Sequence, residues 1–166
     1  YVYAFNAGGR QVDEATPWSA VPITWGLTDE ERAARALQRL GSADLTTDWG
    51  VRMLSNQSAF YEPLNYNYGA VWPFLTGWAA AAMYQRNFVL QGYGLLRTAV
   101  RHTFDNGQGF VTELFSGDLN VWPREAVAHQ GFSSSGVVFP LLGGLLGLSA
   151  DAPSGAFGFA PRFPAD

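Results

Sequence analysis

Two helical segments without a polar face, each reached through a long non-helical stretch, restrict the fold of this chain more than any other feature. From about Ala70 to Gln85 ("AVWPFLTGWAAAAMYQ") and from about Ser134 to Leu148, the sequence is apolar nearly all round. Such helices must be covered on most sides. Two amphipathic helices alternate with them. "TDEERAARALQRLG" opens on a capping box, Thr28 with Glu31, and carries Ala33, Ala36, Leu37 and Leu40 along one stripe before stopping at Gly41. The other, from about Phe88 to Phe104, turns Arg97 and Arg101 to solvent at i,i+4. A few residues around Arg86-Asn87 join the first inner helix to the outer helix after it. By contrast, residues 41–69 and 105–132 lead into the two inner helices. Structureless connections of that length are uncommon and often functional. Outer helix, long loop, inner helix, short turn predicts an all-α fold: part of an α/α toroid, with inner and outer rings, long loops at one mouth and a few short strands. A helical bundle with two large insertions is the alternative.

Composition narrows the class. Charged residues make up 14% and aromatics 15% of the 166 residues, with six Trp, which suits a largely buried chain or one with ring-lined grooves. The net charge is −4, all ten cations are Arg, and no basic run is present, so a nucleic-acid partner is not expected. With no Cys there is neither a disulfide framework nor a thiolate metal site. The longest apolar run, Gly136 to Leu148, is too short for a membrane span. No signal peptide is visible, and the compartment stays open. The chain starts at Tyr1 in "YVYAF", which reads as a strand, and a piece of a longer protein is expected. "NAGGR" (Asn6 to Arg10) reads as a hairpin turn rather than a phosphate loop. Residues 1–150 read as the helical body and 151–166 as an extended tail leaving it.

The candidate chemistry lies in the two long loops. "NGQGFVTELFSGDLN" (residues 106–120) places Glu113 in what reads as a short half-buried strand, with Gly107 and Gly109 before it and Ser116-Gly117-Asp118 after. Glu is a poor strand former, and a carboxylate near an apolar surface is costly unless something uses it. Catalysis is one use; an ion pair with Arg52 or Arg124 is the structural alternative. Sugars present apolar C–H faces and hydroxyl rims, so their sites combine aromatic platforms with polar side chains. Trp49, Tyr66, Tyr68, Trp72, Trp122 and Phe132 are candidate platforms, and Asp48, Arg52, Asn67 and Gln130 candidate hydrogen-bonding groups. Trp72 at a helix start also suits a core, and Arg52 equally suits pinning its own loop. His129 has no second ligand at metal spacing, and no metal or cofactor is expected. Ser133-Ser134-Ser135 reads as a helix N-cap region without a nucleophile elbow.

In order along the chain, "TTDWGVRMLS", "YNYGAVWPFLTGWAAA", "TELFSGD" and "HQGFSSSGVVFPLLGGLLGL" resemble the C-terminal part of the (α/α)6-barrel, or six-hairpin, glycosidases. The amylo-1,6-glucosidase domain of glycogen debranching enzymes and, more distantly, the trehalases are the relatives in view, from about Trp18 to Leu148. The resemblance implies an inverting hydrolase acting on an α-glucoside or oligosaccharide with two carboxyl groups. It implies Glu113 as the general base, and a general acid on an earlier barrel loop, upstream of Tyr1. It also implies that Tyr66, Trp72, Gln130 and Phe132 line the sugar pocket, and that the missing N-terminal part of the barrel is the chain's partner. Two positions depart from the debranching pattern: Asn67 stands where a His is usual, and Phe132 where a Trp is common. Both bear on substrate fit. A non-catalytic carbohydrate-binding or structural relative, and a phosphorylase on the same fold, are the competing readings.

Overall fold

Asn6 and Gly9 build the first turn. The Asn6 side-chain oxygen accepts from the Gly8 and Arg10 amides at 2.9 and 3.0 Å, and Gly9 takes a left-handed φ of 73°. The turn joins β1 (Ala4–Phe5) to its antiparallel partner β2 (Gln11–Val12), so "NAGGR" is the hairpin turn expected. The structure, a computed structural model, describes residues 2–105 and 108–165. Tyr1 of the predicted first strand and Gly107 lie outside those residues.

Thr16 caps a 3-10 turn, Pro17–Ser19, that passes into α1 (Ala20–Thr24). So short a helix, with Pro22 inside it, carries no apolar period and was not expected. α2 spans Glu30–Leu40, with Ala33, Leu37 and Leu40 buried and Gly41 as its C-cap, on the stripe read from the sequence. Its cap is Asp29 rather than Thr28: the Asp29 carboxylate accepts from the Arg32 amide at 2.8 Å. A carboxylate at a helix N-terminus meets both free N–H groups and the positive end of the dipole. Thr28 instead offers its carbonyl to Arg86 at 2.8 Å.

β3 (Thr46–Thr47) and β4 (Gly50–Val51) form a second hairpin in the first long loop. α3 is Pro73–Gln85, three residues shorter at the front than the apolar pattern suggests. Proline suits the first helical position and biases its predecessor to extended backbone, as Trp72 shows with φ −106° and ψ 118°. α3 is buried on nearly all sides, as expected of an inner helix. Asn87, at φ 60°, turns the chain into α4 (Val89–Asp105), which keeps Arg97 and Arg101 exposed.

The last inner helix differs most from expectation. α5 runs Gly131–Phe139 and continues as a wider π-helical segment, Pro140–Leu145. Pro140 has no N–H for an i−4 carbonyl, and Leu146 donates five residues back to Leu141 at 2.9 Å. The helix therefore starts and ends earlier than 134–148. The tail is a hairpin: β5 (Leu148–Asp151) pairs with β6 (Ala156–Phe159) and so runs across the 150/151 division.

α3 is the hub, packed against α1, α4 and α5. Gly77 and Gly136 bring α3 and α5 to backbone contact, since a Cβ on Gly136 would collide with the Pro73 carbonyl and lie 2.9 Å from the Phe74 Cα. Ile23, Leu37, Leu40, Met83, Tyr84 and Leu96 lie in the main core. A second cluster, Met53, Ala70, Trp72, Leu75 and Leu114, sits under the loops. Contrary to expectation, α5 is not covered on most sides: Phe132 and Val138 are 42% and 51% exposed, and Phe139 and Leu142 are also exposed. Of the other helical elements, α3, α4 and the π segment pack most against it.

Candidate active site

Residues 111–117 form an unbroken buried run, although most of their backbone is not in regular strand. The half-buried strand expected around Glu113 is replaced by pairing with a second irregular segment. Glu113 N donates to Val127 O at 2.9 Å, Gln130 N to Val111 O at 2.9 Å, and Thr112 Oγ1 to Val127 O at 3.0 Å. Phe115 alone makes an antiparallel bridge, to Val71, which in turn bridges Arg52. A single bridge on each side satisfies the backbone without strand alternation, which is why a two-residue period misjudges this stretch.

Glu113 is only 8% exposed, more enclosed than the partly solvated strand-end carboxylate expected. Its Oε1 accepts from the Tyr66 hydroxyl at 2.9 Å, and its Oε2 from the Val127 amide at 3.2 Å. The Ser133 hydroxyl, fully buried in the first turn of α5, donates to the Glu113 carbonyl at 3.2 Å. Among the described residues no Arg lies within ion-pair distance, so the suggested pairing with Arg52 or Arg124 is absent. The two donors, on opposite oxygens, hold this buried side chain in place. Desolvation, and then the hydrogen bond to Glu113, raise the Tyr66 phenol above its ordinary value.

Tyr66, Trp72 and Phe132 are brought together beside this carboxylate. The Tyr66 and Trp72 rings meet edge-to-face with centroids 4.5 Å apart, and Trp72 stacks on Phe132 at 5.8 Å. Phe74 stands edge-on to Trp72 and Phe132 and to Trp18 beyond. Trp72 is 3% exposed and gives its indole N–H to Tyr66 O at 2.9 Å, so it backs the wall from the core side. Of the three rings beside Glu113, Tyr66 and Phe132, 50% and 42% exposed, are the ones open at the surface. Gln130 caps α5 with its backbone, which moves the cap from the serines expected there; the Ser134 and Ser135 hydroxyls turn back to helix carbonyls. Asn67 is exposed on the turn carrying Tyr66, its amide bonded to Asn65 Oδ1 at 3.0 Å.

Trp49 and Arg52 lie on the far side of the Glu113 segment and hold its backbone. Trp49 Nε1 donates to Ser116 O at 2.8 Å; Arg52 donates through Nε to Gly117 O and through Nη1 to Ala43 O. Of the two roles open to Arg52, the structure therefore displays loop-pinning. Tyr61, which the sequence does not single out, donates to Asp118 at 2.7 Å, and burial with that carboxylate pushes its phenol up to about 12. Its 57-residue separation from Asp118 leaves no local signal. His102 supports the segment from α4, its ring stacked on Phe115 at 4.2 Å and its Nε2 2.7 Å from Trp49 O. His129 packs on Phe110, and among the described residues no cluster of three or more His, Asp or Glu is placed to hold a metal.

Helices of alternating burial with long loops gathered around one carboxylate and a ring wall define part of an (α/α)6 six-hairpin glycosidase fold. The chain belongs to the family described as the mannosylglycerate hydrolase MGH1-like glycoside hydrolase domain, whose profile matches residues 2–133. That span begins before Trp18 and ends before Leu148, and the match carries no specific likeness to the glycogen-debranching group. Solved structures agree in fold. A GH63 mannosylglycerate hydrolase from Thermus thermophilus, in complex with glucose, superposes with a TM-score of 0.60 at 21% identity over 80% of this chain and 32% of its own. An uncharacterized conserved protein from the same organism gives 0.61 at 20% identity, over 79% and 31%. The mannosylglycerate hydrolase with Tris and D-glycerate gives 0.55 at 20%, over 79% and 30%. This chain thus spans about a third of the length of these structures. A search of the curated proteins finds no match. Among the described residues no helix is long and apolar enough to cross a membrane.

Proposed function

We propose that this chain supplies the general base, Glu113, and part of the sugar pocket of an inverting glycoside hydrolase. The observation that carries the reading is the Glu113 carboxylate itself: enclosed, without a cation beside it among the described residues, held on both oxygens, and next to the Tyr66–Phe132 ring wall. Such a group is rigid and ready to take a proton. In the proposed step a water gives a proton to Glu113 as its oxygen attacks the anomeric carbon. The glycosidic C–O bond breaks, and a general acid protonates the departing oxygen. That acid belongs to another loop of the same mouth, outside residues 1–166, roughly 6.5–9.5 Å from Glu113 so that the water fits between.

The substrate class is an α-glycoside. An α-glucoside or oligosaccharide follows from the motifs, and the related structures add a hexoside of glycerate, in the manner of mannosylglycerate. Tyr66 and Phe132 present ring faces for the sugar's C–H surface, with Gln130 and Asn67 at the rim.

The test is hydrolysis of a panel of α-glucosides, α-mannosides and glycosyl glycerates by the full-length protein containing this chain, with the product anomer read by NMR at early times. Release of the β-anomer is expected. Release of the α-anomer would exclude inversion, and sugar binding without hydrolysis would favour a carbohydrate-binding relative.

A further inference from the structure

We infer that Tyr66 is a positioning residue for Glu113, holding the carboxylate by its Oε1 and fixing the direction in which it accepts a proton; this rests on Glu113 being the base. The hydroxyl is the one side-chain donor to that carboxylate among the described residues, at 2.9 Å. The remaining donor, the Val127 amide, is longer at 3.2 Å and serves the opposite oxygen. A carboxylate oxygen accepts two hydrogen bonds, so Tyr66 fills one site on Oε1 and leaves the other open to a water. Donors to the charged form favour it, and in a site this enclosed each of them counts for more.

The tyrosine is itself fixed. Its carbonyl takes the Trp72 indole N–H at 2.9 Å, and its ring stands perpendicular to Trp72 at 4.5 Å. The turn carrying it is closed by Asn65, whose Oδ1 accepts from the Asn67 and Tyr68 amides. A ring locked on its edge and from behind aims the hydroxyl without choosing among rotamers. Half of the Tyr66 surface stays exposed, on the side where the ring wall opens.

The experiment uses the full-length protein and its pH–rate profile. Tyr66→Phe keeps the ring packing on Trp72 and removes only the donor. The expected result is a kcat about tenfold or more lower with KM little changed, and an acidic limb of kcat/KM moved to higher pH, as loss of a donor to a charged base requires. Replacement of Tyr66 by 3-fluorotyrosine, a more acidic donor of nearly the same shape, is expected to move that limb to lower pH. Glu113→Gln is measured alongside. If it is inactive while Tyr66→Phe and the fluorotyrosine protein keep the parent profile, the role given to Tyr66 is wrong and the base assignment stands. If Glu113→Gln is as active as the parent, both fall. A Tyr66→Phe protein with raised KM, unaltered kcat and unmoved pH limb makes Tyr66 a sugar contact only, which also overturns the inference.

Discussion

At the scale of single residues, the segment bearing Glu113 is held by groups of very different kinds, and their titration tells them apart. His102 is buried with Nε2 against Trp49 O and Nδ1 without a partner, so it is a neutral Nε2–H tautomer that donates to that carbonyl. Burial, above all, lowers its proton affinity below the ordinary 6.5. Protonation would bury a second N–H with no acceptor. Between its lowered folded value and 6.5 the unfolded chain binds the extra proton, so stability is complete above 6.5 and is lost as pH falls through that window to the folded value. His102→Gln is expected to flatten that dependence, as measured by denaturant melts from about pH 5 to 8; an unchanged slope would contradict the account. Asp44 behaves in the usual carboxylate sense. The Arg39 guanidinium, gripping both oxygens at 2.7 and 2.6 Å, with Ser42 and Ser55 beside it, holds Asp44 well below the ordinary carboxylate range. Its stabilisation is complete above 3.8 and disappears as pH falls through the depressed folded value. Asp44→Asn is expected to cost about 1.5–3 kcal/mol at neutral pH, the range of hydrogen bonds to charged groups, as read by denaturant melts.

Among the elements, the contact between α3 and α5 is the one that carries the site, because Trp72 lies at the start of α3 and Phe132 and Ser133 in the first turn of α5. Gly77 faces Gly136 there, and neither has room for a methyl group. Gly136→Ala is therefore expected to destabilise by about 1–3 kcal/mol through overpacking and to loosen the Trp72–Phe132 stack. Gly143→Ala, whose added Cβ meets nothing within 4 Å, is the control and is expected to leave the melting curve nearly unchanged. The same elements show what a sequence can disclose. The burial of α3, the stripe of α2 and the solvent face of α4 follow from local period and were legible. Start points were not, where a neighbour decides them: Arg86 draws Thr28 away from the cap, and Pro73 moves the start of α3. Glu113 stands out locally as a charge in an apolar stretch, but its partners Tyr66 and Val127 lie 47 and 14 residues away. Arg52 and Trp49 carry the residue types of a sugar site and are joined to backbone carbonyls that no motif announces.

For the whole molecule, the exposed face of α5 matters most. Phe132, Val138 and Phe139 lie open on α5 and Leu142 on the π segment that continues it, while the chain spans about a third of the related structures. Apolar surface of this kind invites association. The isolated 166-residue chain is expected to self-associate in light scattering and to bind no sugar measurably, whereas a monodisperse monomer would show that the α5 face needs no cover. The central claim is Glu113 as base, and the most direct measurement is the rate and sugar affinity of Glu113→Gln in the full-length protein. The account predicts a loss of about three decades or more in kcat, since an essential proton-transfer group contributes roughly 10²–10⁴-fold, with sugar binding retained. A variant that hydrolyses as fast as its parent would contradict it and return Glu113 to a structural carboxylate.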